Sequence, residues 1–301
     1  MADALDLGSS SVRSAGSSPV SCTIFDSFPE CGGDFRIRIK KMRHSVCFFR
    51  GCRRIEVNMR YGKVVEAKFL SRPNRFIAEV AAEEGTCTAH VKNTGRCREL
   101  LIPGCTVYLS VSDRPGRKTK YDLICVEKTR DAKSPLLVNV DSQIPNAAAG
   151  EWLPKSGMFS AGAVIRREVK YRNSRFDFFI EDGPRKIFLE VKGVTLEKNG
   201  TAMFPDAPTE RGVKHVHELT ECVADGFEAY VMFVIQMGEV CRFLPNDTTH
   251  PAFGDALRTA AERGVKLLAL NCRVTPDSIE INVPVQVDLA KQTDHKDGSC
   301  V

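Results

Sequence analysis

Two different hydrophobic rhythms divide this chain. Between Val64 and Glu127, five short segments are rich in β-branched and aromatic residues: Val64–Leu70, Arg75–Ala81, Thr86–Val91, Thr106–Val111 and Tyr121–Glu127. Turn signals separate them at Arg72-Pro73-Asn74, Glu84-Gly85, Pro103-Gly104 and Arg114-Pro115-Gly116. That spacing predicts a small β-barrel. Further on, strand patterns over Phe176–Ile180, Ile187–Val194, Glu228–Met237 and Val265–Asn271 alternate with helical periods over Thr209–Asp225 and Phe253–Arg263. Alternation of this kind predicts an α/β sandwich with at least one parallel pairing. Asp131–Lys155, interrupted by Pro135, Pro145 and Gly150, reads as the crossover between the two.

At 301 residues, 43% hydrophobic and 27% charged, the chain has room for two globular domains. Its longest apolar run, Ala229–Met237, is strand-sized, so no membrane partner is predicted. Lys+Arg exceed Asp+Glu by 43 to 38, a net +5 that permits a nucleic-acid partner without requiring one. Most of this excess lies in residues 1–58, where Arg36–Arg54 holds no acidic residue. The segment lacks the basic start and apolar stretch of a secretory signal. It reads either as a basic arm that grips phosphates or as an unfolded or untranslated extension ahead of a start at Met59. The twelve cysteines include no C-x-x-C pair, which argues against a zinc cage and for reduced thiols in a cytoplasmic protein.

The segment with the clearest chemistry is Ser174-Arg175-Phe176-Asp177-Phe178, followed by Glu190-Val191-Lys192. Side chains alternate along a strand, so Glu190 and Lys192 share one face and Leu189 and Val191 the other. By the same rule Phe176 and Phe178 share a face that Asp177 leaves. A hairpin turn at Asp182-Gly183-Pro184 would set Asp177 beside Glu190. Two carboxylates and an ammonium on one patch suit phosphodiester hydrolysis. Mg²⁺, or Mn²⁺, takes one or two carboxylates plus water and substrate phosphate. Asp177 and Glu190 are the expected ligands, with Glu168 as a further one, and Lys192 would orient the attacking water and stabilise developing charge. The same E-x-K pattern also occurs on solvated strands with no metal.

Asp206 or Thr209 can cap the helix that follows, whose period marks Val213, Val216, Thr220, Val223 and Phe227 as the buried stripe. Arg211, Lys214, His215 and Glu218 then form another face. That face is either solvated or, through Lys214 and His215, in contact with substrate phosphate. The barrel loops are basic, with Arg75, Lys92, Arg96, Arg117 and Lys118 as candidate phosphate contacts. Phe69, Phe76, Tyr108 and Tyr121 are candidate stacking platforms, or else core residues.

Several of these blocks occur in an order that resembles one family. Ser174-Arg175-Phe176-Asp177-Phe178, Leu189-Glu190-Val191-Lys192-Gly193-Val194-Thr195, Phe204-Pro205-Asp206-Ala207 and Thr209-Glu210-Arg211-Gly212-Val213-Lys214-His215 look like signatures of the sugar fermentation stimulation protein A (SfsA) family. Upstream, Phe69-Leu70, Asn74-Arg75-Phe76, His90-x-x-Asn93-Thr94-Gly95-Arg96 and Pro103-Gly104 resemble its N-terminal half. The resemblance covers about residues 59–289. It implies a two-domain α/β protein: an OB-fold barrel over 59–130, then a PD-(D/E)xK nuclease-like domain over 131–289. Residues 290–301 depart from it and read as a polar tail. Residues 1–58 match nothing in it. Family members are described as DNA-binding proteins linked to maltose metabolism. The implied function is therefore DNA binding, with RNA a further candidate, and a metal-dependent nuclease site. The alternative is a non-catalytic DNA-binding regulator.

Overall fold

The computed structural model describes residues 59–291 except 94, 96, 114, 131 and 132, together with two strands of the preceding segment. The expectations for Arg96, for most of residues 1–58 and for residues 292–301 lie outside the described residues. The chain forms two compact units, Met1–Ile55 and Glu56–Val301. In the first, β1 (Ile24–Asp26) pairs antiparallel with β2 (Arg38–Lys40), Phe25 opposite Ile39.

The second unit opens with β3 (Met59–Arg60), which joins the edge of the large sheet described below. The barrel follows: β4 (Val64–Asn74), β5 (Ile77–Ala82), β6 (Gly85–Val91), β7 (Thr106–Val111), β8 (Tyr121–Arg130) and β9 (Lys133–Asn139). Its order is β6-β5-β4-β7-β8-β9, and a parallel pairing of β6 with β8 closes it. Alternate residues Ala67, Phe69, Ala78, Val80, Val107 and Leu109 fill the interior, as the period of two requires. All five strands expected from the turn signals are present.

The sandwich contains α1 (Ile144–Trp152), β10 (Val164–Tyr171), β11 (Ser174–Asp182), β12 (Arg185–Val194), β13 (Leu196–Lys198), β14 (Thr201–Phe204), α2 (Glu210–Ala224), β15 (Glu228–Ile235), β16 (Arg242–Pro245), α3 (Pro251–Glu262), β17 (Lys266–Thr275), β18 (Ser278–Pro284) and β19 (Gln286–Val287). Its seven-stranded sheet runs β10-β11-β12-β15-β17-β18-β3. The central pairs β12–β15 and β15–β17 are parallel, and β15 is buried along nearly its whole length. Central parallel strands covered on both faces read as continuous apolar runs, which is what Ala229–Ile235 shows. α1 lies on one face with Phe178, Leu189 and Val191, while α2 and α3 lie on the other with Phe176, Phe188 and Phe233. The second of these cores is continuous with the barrel interior, so the barrel and sandwich pack as one body.

The expected crossover contains two elements that the sequence reading did not find, β9 and α1. Pro145 stands in the first turn of α1, where its missing N–H costs nothing, so it starts a helix that it was expected to interrupt. Pro135 lies in β9, at the edge of its sheet, the place where a strand tolerates proline.

Gly193 of β12 lies close against Pro145 of α1 and Gln236, the residue after β15. A Cβ there would lie 2.6 Å from Gln236 Oε1 and 2.6 Å from Pro145 Cγ. The buried Gln236 amide donates to Asn139 O, Asn139 Oδ1 and Asp141 O at 3.0, 3.1 and 3.1 Å, fixing the chain that leads into α1. Gly193→Ala is therefore expected to destabilise the protein by about 1–3 kcal/mol through overpacking. Urea unfolding checks this: the midpoint should fall with the slope unchanged.

Candidate active site

β11 and β12 pair from Asp182–Arg185 up to Phe178–Leu189, and there the ladder stops. One step further, the Val191 N–H would have needed a carbonyl from β11. Asp177 takes that place: its Oδ2 accepts from Val191 N at 2.7 Å, and its Oδ1 accepts from Asn146 Nδ2 of α1 at 2.6 Å. The neighbouring strand breaks at the same level. β10 and β11 pair on either side of Glu168 and Asp177 but not between them, and Glu168 has φ of 57°. The interruption reverses the facing of the strand. Phe176 enters the α2-side core and Phe178 the α1-side core, so the expectation that they share a face is corrected.

Glu190 and Lys192 do share a face. Lys192 Nζ donates to Glu190 Oε1 at 2.6 Å. The same oxygen takes a second hydrogen bond from α2, His215 Nδ1 at 2.5 Å. Arg211 Nε donates to His215 Nε2 at 3.4 Å, which makes Nε2 the acceptor and Nδ1–H the donor to Glu190. Phe176 holds the imidazole edge-on, with ring centroids 6.0 Å apart. Glu190 Oε2 is buried and has no hydrogen-bond partner among the described residues.

The two carboxylates titrate in opposite directions. Burial, and then the nearby Glu190 charge, push the Asp177 carboxyl up to about 6. Burial also pushes Glu190 up, but the His215 hydrogen bond and the Lys192 ammonium outweigh it and hold Glu190 below the usual carboxylate range. Among the described residues no three His, Cys, Asp or Glu side chains converge as a metal cage. Asp177 and Glu190 are the two donors present, a hard-oxygen pair suited to a Mg²⁺-like ion that keeps its waters. The unpartnered Glu190 Oε2 fits such an ion, because an anionic oxygen buried without a donor is otherwise costly.

Not every expected residue joins this cluster. Glu168 is exposed, its carboxylate 3.5 Å from Arg175 Nη1. His215, expected over a phosphate, is 5% exposed and sits under Glu190. The buried face of α2 is wider than the expected stripe: Val216 is buried and Val213, Val223 and Phe227 pack against the core, but Gly212, His215, Glu218, Leu219 and Cys222 are buried as well, with Thr209 as the cap. Lys214 stays exposed, 3.8 Å from Glu218. In the barrel, Arg117 makes a two-pronged contact with Asp122 at 2.5 and 3.0 Å. Lys92 lies 3.2 Å from Asp122 and 3.3 Å from Asp141. Lys118 is exposed. The Arg75 guanidinium lies 4.8 Å over Phe76, whose ring is 45% exposed. Phe69 and Tyr121 are core residues, which corrects their expected role as platforms, and the half-buried Tyr108 donates to Glu127 Oε1 at 2.8 Å. Asn146 and Gln236 were missed. Gln236, the one polar side chain in an apolar strand run, was the available signal.

A closed OB barrel joined to an α/β sandwich that carries Asp177 and Glu190-x-Lys192 is the plan of a two-domain protein with an OB-fold domain and a PD-(D/E)xK nuclease-like domain. The chain belongs to the sugar fermentation stimulation protein (SfsA) family. It matches the model described as the SfsA N-terminal OB domain over residues 70–134 and the sugar fermentation stimulation protein RE domain over 143–278. A sugar fermentation stimulation protein homolog from Desulfitobacterium hafniense (strain Y51) is 58% identical over 233 residues, 77% of this chain and 100% of that protein. One from Ruminiclostridium cellulolyticum is 52% identical over 231 residues, again 77% of this chain and 100% of the relative. The solved structure of Pyrococcus furiosus SfsA, described as a complex with Ca²⁺, is 29% identical with a TM-score of 0.67 and covers 77% of this chain and 99% of its own. No helix among the described residues is long and apolar enough to cross a membrane.

The Asp177 shift has a measurable consequence in metal-free protein. A carboxyl whose pKa is raised on folding, here from 3.8 to about 6, contributes stability that is complete below pH 3.8 and lost as pH rises through about 6. The loss is at most about 3 kcal/mol, because Asp177 keeps part of its surface in water. Asp177→Asn is therefore expected to melt above the wild type at pH 8 in the presence of chelator, with the advantage shrinking towards pH 4. A Tm difference that does not change with pH contradicts the assignment.

Proposed function

We propose that this protein binds DNA and hydrolyses its phosphodiester bonds in a divalent-metal-dependent reaction at Asp177, Glu190 and Lys192. The observation that carries the reading is the state of Glu190: one oxygen is doubly tied by Lys192 and His215, the other is buried with no partner among the described residues, and the Glu190 charge is near enough to raise the Asp177 carboxyl. Mg²⁺ or Mn²⁺, held by Asp177 and Glu190, would lower the pKa of water and neutralise charge on the scissile phosphate. That a relative has been solved with Ca²⁺ supports an oxygen-liganded divalent ion in this family.

The protein's own groups divide the remaining work. Val191 N–H and Asn146 hold the Asp177 carboxylate in one orientation. His215 and Arg211 hold Glu190 from beneath, in a site where burial strengthens each interaction. Lys192 presents an ammonium on the Glu190 face, placed to orient water and to balance charge that develops on phosphate oxygens. DNA would also meet the exposed cations Arg75 and Lys118 of the barrel and Lys214 of α2.

A cleavage panel over single-stranded, duplex and branched DNA and RNA, with Mg²⁺ and with Mn²⁺, tests the reading. Cleavage is expected with at least one polymer. Asp177→Ala and Glu190→Gln are each expected to lower the rate by about 100-fold or more, while salt-dependent binding persists. Binding without cleavage of any polymer would favour the non-catalytic regulator. Arg75→Ala and Lys118→Ala are each expected to reduce the slope of log affinity against log salt by about one.

A further inference from the structure

The hairpin of β10 and β11 has two differently charged faces. On the α2 side, the cations are matched by acids. Arg166 pairs with Glu181, and Arg172 reaches Glu221 and Asp225 at 2.5 and 2.7 Å. On the α1 side, they are not. Arg167 stacks over Phe178 at 5.4 Å, and its Nη2 donates only to a carbonyl, Asn146 O, at 3.2 Å. Lys170 and Arg175 are cross-strand partners, and their neighbours Tyr171 and Phe176 enter the α2-side core, which turns both of them to the α1 side. Among the described residues, the exposed Lys170 side chain makes no ion pair, and Arg175 has only the 3.5 Å contact with the exposed Glu168. The three cations thus have one ion pair between them, and the other carboxylates of this face, Asp177 and Asp182, are held by other partners.

This face borders the candidate site. Arg167 donates to the backbone of Asn146, and the side chain of the same Asn146 donates to Asp177. Edge strands commonly carry charge to block pairing with another chain, but that purpose is served by either sign on either face. It does not account for unmatched cations gathered on the face that leads to Asp177. In the barrel, by contrast, Lys92 and Arg117 are neutralised by Asp122 and Asp141.

We infer that Arg167, Lys170 and Arg175 form a phosphate track that brings a nucleic-acid strand along the α1 side of the hairpin to Asp177. The inference rests on the nuclease reading above and adds the path of the substrate. The ligand chemistry is the phosphodiester backbone, common to DNA and RNA.

Binding without cleavage separates the two claims. The full-length protein is titrated in chelator against duplex DNA, single-stranded DNA and single-stranded RNA of one length, over a range of salt. For whichever polymer binds, Lys170→Ala combined with Arg175→Ala is expected to lower the salt slope by about two and to weaken binding roughly tenfold or more near ~0.1 M salt. Lys198→Ala, an exposed lysine at the end of β13, should leave both unchanged. Glu168→Gln, which removes the one acid paired with these cations, is expected to tighten binding, an effect that a folding defect does not mimic. If the wild type binds and neither hairpin variant alters the slope or affinity, the track is wrong and the nuclease reading stands untouched. If the wild type binds none of the polymers, both fall. If binding follows the prediction but no polymer is cleaved with Mg²⁺ or Mn²⁺, the track stands and the nuclease reading fails.

Discussion

The site depends on where the β11–β12 ladder ends. β12 is buried on both faces along Ile187–Val191, so its backbone groups cannot turn to water and each needs a partner. When β11 diverges after Phe178, the Val191 N–H is left without its strand neighbour, and the Asp177 carboxylate replaces the missing carbonyl. One hydrogen bond thus both finishes the sheet and brings a carboxylate beside Glu190. The arrangement raises the Asp177 pKa to about 6, because burial and a second negative charge outweigh the two donors. A fold selected for stability alone would not retain that combination, and such strained electrostatics are more typical of sites with a bound cation or a reaction to perform.

α2 completes the site by an inversion of the usual rule. Its buried face carries His215 and Glu218 beside Val216 and Leu219. The sequence reading assigned the apolar positions Val213, Val216, Thr220 and Val223 to the interior, because an amphipathic period ordinarily reports burial through hydrophobicity. Here the polar side chain under β12 has a charged partner, so His215 enters the interior beside the expected stripe, of which Val216 is buried and Val213, Val223 and Phe227 pack against the same core. Local periodicity could place the helix and part of its buried face but not the inward turn of His215, whose partner Glu190 lies on another element. The Phe176–Phe178 facing failed for a related reason: strict alternation presumes an unbroken ladder, and the break lies at Asp177 itself.

The elements that were legible share one property, namely that their signal is local. The barrel strands lie between Gly and Pro turns, and β15 is an uninterrupted apolar run, so both can be read from a short window of sequence. β10 could not. It is an exposed edge strand, half of whose residues are charged, and it shows neither alternation nor an apolar run. α1 was hidden by Pro145, whose meaning changes from breaker to starter with a position that only the structure supplies. The chemistry at Asp177, Glu190 and Lys192 was visible as a pattern. Of its supporting residues, Asn146 was not visible and His215 was read as a phosphate contact, because each acts across the fold from the residue it holds.

The remaining family blocks are explained by the joint between barrel and sandwich. Arg72 donates to Asn93 O and Gly95 O at 2.8 and 3.0 Å, and Asn93 Oδ1 accepts from Gly95 N at 2.7 Å. A Cβ on Gly95 would fall 2.3 Å from Asp206 Oδ2, so the barrel loop lies directly against the segment that enters α2. A side chain on Gly95 would have to displace the Asp206 and Asn93 side chains. Asp206 lies three residues ahead of Thr209, the cap of the helix on which His215 meets Glu190. On the other side of the joint, Lys92 bridges Asp122 of the barrel and Asp141 ahead of α1, the helix that carries Asn146. Both supports of the carboxylate pair are therefore anchored on the barrel. Lys92, which from sequence looks like a contact for phosphate, is occupied in holding two domains in the register that the site requires.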